Sequence, residues 1–367
     1  VKIKILFCVM CMIFLPAHRS ECNEAERRCL FVSVIQDPPV LSSRVDIEKL
    51  IDFAKSARIN KLFVQIYFSG RAWFPSDIAD SAPYRSSLES VSHDPFALLI
   101  EKAHAAGIEV HAWMNMLSLG ANGEAKILKK YGAGILTRNL KLKKSLKDYK
   151  IDSQFFLEPG DLRVRNYLSK LVGEVLRAYP GLDGIQFDYI RYPDKEPFYG
   201  YNKMNIERYK SSTGNRSIDE ASPAWKDWKR RQVTDVLEIL INSSRAIRPD
   251  IKISATGCMP YSRAYLEAYQ DWPYWIARGM VEYVTVMSYS PDPVEFKRTL
   301  AGAREKTDDF KRVNIAIGAY RLVESPKVFK EEFHISESSG AGGFAIFHYG
   351  SLLENQLLVE PLTENSK

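Results

Sequence analysis

The chain has 367 residues, 46% of them hydrophobic and 26% charged, which gives enough apolar surface for a large core and excludes an intrinsically disordered chain. The formal charge of +6 shrinks once the N-terminal Lys2, Lys4 and Arg19 are set aside. A mildly basic remainder, with no Cys/His zinc spacing and no basic-aromatic motif, argues against a nucleic-acid partner.

In chain order, Lys2 and Lys4 precede an apolar run from Ile5 to Leu15, too short for the roughly 20 residues of a membrane-spanning helix. Residues 1–20 are therefore expected to be an export signal, with an uncleaved anchor as the alternative. Lipid attachment at Cys22 is a further option that the preceding Arg19-Ser20-Glu21 disfavours. The mature chain is expected in the periplasm or outside the cell, with no integral span once the signal is gone. Cys8 and Cys11 would leave with the signal. Cys22 and Cys29 could then close a small loop, and Cys258 would stay a reduced thiol.

Eight short β-branched runs follow, at 30–36, 61–68, 108–115, 182–189, 251–256, 281–289, 313–319 and 342–348. Amphipathic stretches at 46–57, 95–106, 164–178, 225–246, 294–306 and 326–336 separate most of them. Asp46 and Asp94 stand where helix N-caps belong and Gly107 where a helix stops. This alternation predicts an α/β fold with a parallel sheet, and eight units close it into a single-domain (β/α)₈ TIM barrel over residues 21–355 with a tail at 356–367. The doubly wound alternative would want a Gly-rich phosphate turn after the first strand, where this chain has Gln36-Asp37-Pro38-Pro39.

Two connections are long, 116–161 after the third strand and 191–224 after the fourth. Both lie on the strands' C-terminal side, where barrels keep their sites. The first carries Lys141, Lys143, Lys144, Lys147 and Lys150, read either as a solvated loop or as a contact for an anionic glycan or a membrane.

Side chains two apart on a strand share a face, so Gln186 and Asp188 point to one side of the fourth strand, Asp188 at its tip. A carboxylate there among aromatic neighbours is a candidate for proton transfer to a departing sugar oxygen, with a raised pKa expected; a loop cap or a salt bridge to Arg191 is the plainer reading. Gln65, Tyr67 and Arg71 on and after the second strand, Trp113 and Asn115 on the third, Tyr289 on the sixth and His348 on the eighth add hydroxyls, amides and flat rings to the same rim. Such a mixture suits sugars, which offer hydroxyl edges and C–H faces. His111 is read as a buried structural histidine. No metal-ligand spacing, cofactor-binding turn or Gly-x-Ser-x-Gly elbow is present, so neither metal nor cofactor is expected.

With these residues in place, the stretch Asp94-Pro95-Phe96, the run Ala103 to Asn115, Leu157-Glu158-Pro159-Gly160 and Leu182 to Pro193 together resemble the bacterial glycosyl hydrolase-like family 10, which includes envelope peptidoglycan glycosidases. The resemblance covers roughly residues 30–350 and implies a TIM barrel acting on a polysaccharide. Glu158 departs from the Asn or Asp expected at its position. Asp183-Gly184-Ile185-Gln186-Phe187-Asp188 and Met287-Ser288-Tyr289 are more distantly similar to chitinase-type barrels, which implies use of the substrate's own N-acetyl group as nucleophile; Ile190 stands where those enzymes carry their acidic Glu. The leading expectation is a glycosidase for an N-acetylhexosamine polymer, best peptidoglycan, with Asp188 and Tyr289 catalytic and a second carboxylate among Asp37, Glu158, Asp271 and Asp292. A non-catalytic glycan-binding envelope protein and a metal-dependent deacetylase are the alternatives.

Overall fold

A computed structural model describes residues 26–195 and 197–364. Eight strands, β1 (Arg27–Val32), β2 (Lys61–Phe68), β3 (Glu109–Asn115), β4 (Gly184–Asp188), β5 (Lys252–Cys258), β6 (Tyr283–Ser288), β7 (Val313–Ile317) and β8 (Gly343–Ile346), run parallel, each paired with its neighbours in sequence. β1 pairs with both β2 and β8, so the sheet closes into the predicted barrel. Helices α1 (Arg44–Ser56), α2 (Pro95–Ala105), α3 (Leu162–Ala178), α4 (Pro223–Ile247), α5 (Trp272–Ala277), α6 (Pro293–Arg304), α7 (Pro326–Ser338) and α8 (Tyr349–Glu354) follow the strands in turn.

Local chemistry sets these boundaries. Asp94 caps α2 by accepting the Phe96 and Ala97 N–H groups at 3.0 and 2.9 Å, with Pro95 preset for the first turn. Asp46 is not a cap: Ser43 caps α1 and accepts the Asp46 N–H at 3.2 Å, so the helix begins earlier than expected. β1 also begins early, at Arg27, because its first residues sit at the barrel floor, where charged side chains are needed. There Glu109 receives the Lys61 and Lys252 ammonium groups, each at 2.7 Å, and Arg27 donates to Asn314 at 2.7 Å. Above this layer, Cys29, Phe31, Phe63, Trp113, Tyr283, Ala316 and Ala345 fill the interior.

Cys29 is a free, fully buried thiol inside the barrel rather than half of a disulfide; burial raises its pKa to about 12. Cys22 and the whole expected signal fall outside the described residues. The expected tail is docked as far as described: Leu358 and Leu362 are buried, and Arg28 donates to the Leu362 carbonyl at 3.0 Å. Among the described residues no helix is long and apolar enough to cross a membrane.

Candidate active site

The inward-facing ends of the strands and the loops above them line one open cavity of about 650 Å³. Asp188 stands in its wall, only 5% exposed, at the tip of β4. Its Oδ2 accepts the Trp113 indole N–H at 3.1 Å, and its Oδ1 accepts the Tyr189 backbone N–H at 2.7 Å and the Thr256 hydroxyl at 2.5 Å. The plain salt-bridge reading fails, because Arg191 pairs with Asp194 at 2.7 Å and lies over the Tyr189 ring instead. An ionised carboxylate has about four acceptor positions. Three are filled by protein donors, which leaves one for a substrate N–H, O–H or developing positive charge.

The donors come from adjacent strands in register. Asn115 pairs with Asp188 and Trp113 with Gln186 across β3 and β4, so the indole reaches up one pleat to the carboxylate. Trp113 is itself fixed edge-on to Phe31 and Phe347, with ring centroids at 5.0 and 5.8 Å. It is therefore a positioning residue and part of the cavity wall more than a sugar platform. Gln65 donates to Asn115 Oδ1 at 2.9 Å and accepts from Ser33 Oγ at 2.9 Å, a rigid polar edge that keeps the Asn115 amide at the cavity. Tyr289 packs against Phe347 and Tyr320, at 5.4 and 5.7 Å. Burial first, and then the Asp188 charge, hold its hydroxyl well above the ordinary tyrosine value, so it stays a neutral donor.

Of the residues singled out from the sequence, Asp188, Tyr289, Gln65, Trp113, Asn115 and Arg191 meet in this cavity; Tyr67, Arg71, Gln186 and His348 do not. A bulge between Gln65 and Tyr67 in the β2–β3 ladder reverses the side-chain phase. Tyr67 is thereby turned outward to Tyr167 on α3, the hydroxyls 3.4 Å apart, and Phe68 lines the cavity in its place. Arg71 sits on a two-residue strand folded back on β2 and faces Asp80 on the surface, 3.9 Å away. Gln186 has the inward phase but lies one pleat too deep, where it accepts from Ser254 in the sealed interior. His348 falls out of phase: Ala345 and Phe347 point inward, and His348 is the extended N-cap residue before α8, its pKa lowered by burial.

The expected second carboxylates lie elsewhere. Asp271 and Asp292 cap α5 and α6, and Asp37 is exposed in the loop after β1, off the cavity wall. Glu158 is fully buried, receives the Tyr192 hydroxyl and the Gly160 N–H, and has its pKa raised by burial; it ties the two long loops together. Asp183 sits at the opposite end of β4 and binds His104 and the Val110 N–H at 2.8 and 2.7 Å, an architectural role. The cavity instead offers Glu295, in the first turn of α6, paired with Arg298. An acid in a first helical turn reads from sequence as ordinary dipole complementation, which is why it escaped notice. Thr256 was legible in principle, since Ser254 and Thr256 share the inward phase of β5. Arg263, Arg321 and Tyr320, which complete the rim, come from a six-residue helix, Tyr261–Leu266, and a single 3-10 turn, Ala319–Arg321, both too short for a periodicity to read. Among the described residues no cluster of three His, Cys, Asp or Glu side chains is placed to hold a metal ion.

The closed parallel barrel is the fold of solved TIM-barrel glycosidases. The α-L-fucosidase isoenzyme 2 of Paenibacillus thiaminolyticus superposes with a TM-score of 0.64 at 14% identity, over 92% of this chain and 48% of that one. The chain belongs to the glycosyl hydrolase-like 10 family, whose model matches residues 28–335. It is 23% identical over 315 residues to the glycosyl hydrolase DigH of Escherichia coli O6:H1, covering 79% of this chain and 70% of that protein. It is 25% identical over 270 residues to the glycosyl hydrolase YngK of Bacillus subtilis, covering 66% of this chain and 48% of that protein.

Proposed function

We propose that the protein is an exported glycosidase that cleaves an N-acetylhexosamine polymer, with peptidoglycan glycan strands as its substrate. The observation that carries this reading is the one open acceptor position of Asp188 in an aromatic-lined cavity, on a barrel of a glycosyl hydrolase-like family. In this proposal Asp188 works as a carboxylate and not as the proton donor first expected. It holds the acetamido N–H of the sugar and stabilises positive charge as the glycosidic C–O bond breaks and the acetamido oxygen closes on the anomeric carbon. Tyr289 donates to the acetamido oxygen and orients it. Glu295 supplies the proton that the leaving oxygen takes; water then attacks the anomeric carbon, opens the cyclic intermediate and gives its proton back to Glu295.

A glycan-binding protein without turnover is the second reading. Its support is that Ile190, at the position of the chitinase-type acid, is a fully buried core residue. Incubating the protein with denuded and intact peptidoglycan strands, chitin oligomers and poly-N-acetylglucosamine, with products read by mass, separates the two. New reducing ends from denuded strands are expected. Binding to those strands without any product would replace the proposal with the second reading.

A further inference from the structure

The connection from β3 to α3 leaves the barrel through a small hairpin, Ser118–Gly120 against Phe155–Phe156. The tip of this excursion, residues 138–150, reads Arg-Asn-Leu-Lys-Leu-Lys-Lys-Ser-Leu-Lys-Asp-Tyr-Lys. It holds six cations and a single carboxylate, Asp148. That carboxylate is already engaged: it accepts the backbone N–H groups of Lys144 and Ser145 at 2.8 and 2.7 Å and caps the turn Leu146–Tyr149. Among the described residues, none of the five lysine ammonium groups of this tip lies in an ion pair.

Interleaved with them are Leu140, Leu142 and Leu146, exposed to 66%, 78% and 36%. Scattered single leucines on a surface need no explanation, but three within seven residues, alternating with unpaired lysines, form one amphipathic patch. The turn at Leu146–Tyr149 and the Asp148 cap hold it in a defined conformation. The patch rises from the C-terminal side of the barrel, the same side as the cavity.

We infer that the tip at 138–150 docks the protein on an anionic phospholipid bilayer. Lysines fit a plane of headgroup phosphates, and the leucines need an apolar phase just below it. An anionic glycan would satisfy the lysines but offers nothing for bare aliphatic side chains, which, unlike tyrosine or tryptophan, present no flat ring to a sugar face. This inference is independent of hydrolysis: it concerns where the barrel sits.

The test uses a chain starting at Glu26, because the closed barrel and its core lie wholly within residues 26–364 and the upstream apolar run would bind lipid by itself. Co-sedimentation is measured with phosphatidylglycerol/phosphatidylcholine vesicles and with pure phosphatidylcholine vesicles. Binding should require the anionic lipid and weaken steeply with salt. The variant K141Q/K143Q/K144Q/K147Q should bind on the order of tenfold or more weakly, and L140S/L142S should lose at least severalfold at unchanged charge. Both should melt at the parent temperature, as these side chains support no core. Parent-like vesicle binding by the leucine variant would overturn the inference, as would binding indifferent to lipid charge. Capture of a soluble polyuronate with no vesicle binding would overturn it too and turn the patch into a glycan contact.

Discussion

Replacing Trp113 by Phe removes one hydrogen bond from Asp188 and little else. The indole N–H donates to Asp188 Oδ2 at 3.1 Å, and the ring's edge contacts to Phe31 and Phe347 are ones a phenyl group can largely keep. A hydrogen bond to a charged group is worth about 1.5–3 kcal/mol. If that bond fixes the carboxylate for the transition state, kcat/KM should fall roughly 10- to 150-fold, at about 1.4 kcal/mol per factor of ten. The assay is reducing-end release from the polymer, with melting temperature measured in parallel to separate positioning from packing. The double variant with Asp188→Asn makes the test specific. If Trp113 acts through Asp188, the Trp113 change should cost almost nothing further once the carboxylate is gone. Equal losses in both backgrounds, or kcat/KM within threefold of the parent in the single variant, would refute the positioning role.

Three further outcomes follow from the same geometry. Gly184→Ala places a Cβ against the His111 ring and 2.8 Å from the Lys252 carbonyl. It should destabilise by about 1–3 kcal/mol, read as a lower melting temperature. Glu332 on α7 is fully buried with no partner for either oxygen, and burial raises its pKa to about 8. Because the folded state holds this proton more tightly than the unfolded state does, stability should fall as pH rises from about 4.5 to about 8, by at most ~1.4 kcal/mol per unit from this group. Glu332→Gln should flatten that slope and raise the melting temperature at pH 8, as thermal scans across this range would show. Glu295→Gln should cripple cleavage of the polymer yet spare an aryl N-acetylglucosaminide, whose phenolate leaves without a proton; equal losses on both would remove Glu295 from proton delivery.

The barrel was legible because each strand carries a β-branched run and six of the eight helices an amphipathic stripe; α5 and α8, six residues each, are too short to show one. Asp188, Trp113 and Asn115 were legible because β3 and β4 are regular, so counting by twos gives the inward face. The same counting misplaced Tyr67, since a bulge leaves no mark in a run as uniform as Lys61–Phe68. It also gave Gln186 the right face but the wrong depth, because periodicity says which way a side chain points and not where the interior seals. Asp183 matched a carboxylate of the chitinase-type motif and Glu158 was a candidate second carboxylate, but both hold backbone and neighbouring side chains in place. The charged start of β1 hid that strand's beginning, because a solvated end and a barrel floor built of ion pairs read alike until the partners Lys61, Glu109 and Lys252 are brought together.

The central claim is that Asp188 acts on a glycan bound in the cavity, and the Asp188→Asn variant tests it most directly when binding and turnover are measured on the same denuded peptidoglycan strands. Asn keeps the shape, and the account predicts a turnover loss on the order of 10²–10³ with strand affinity close to the parent's. Turnover retained at the parent level would contradict it.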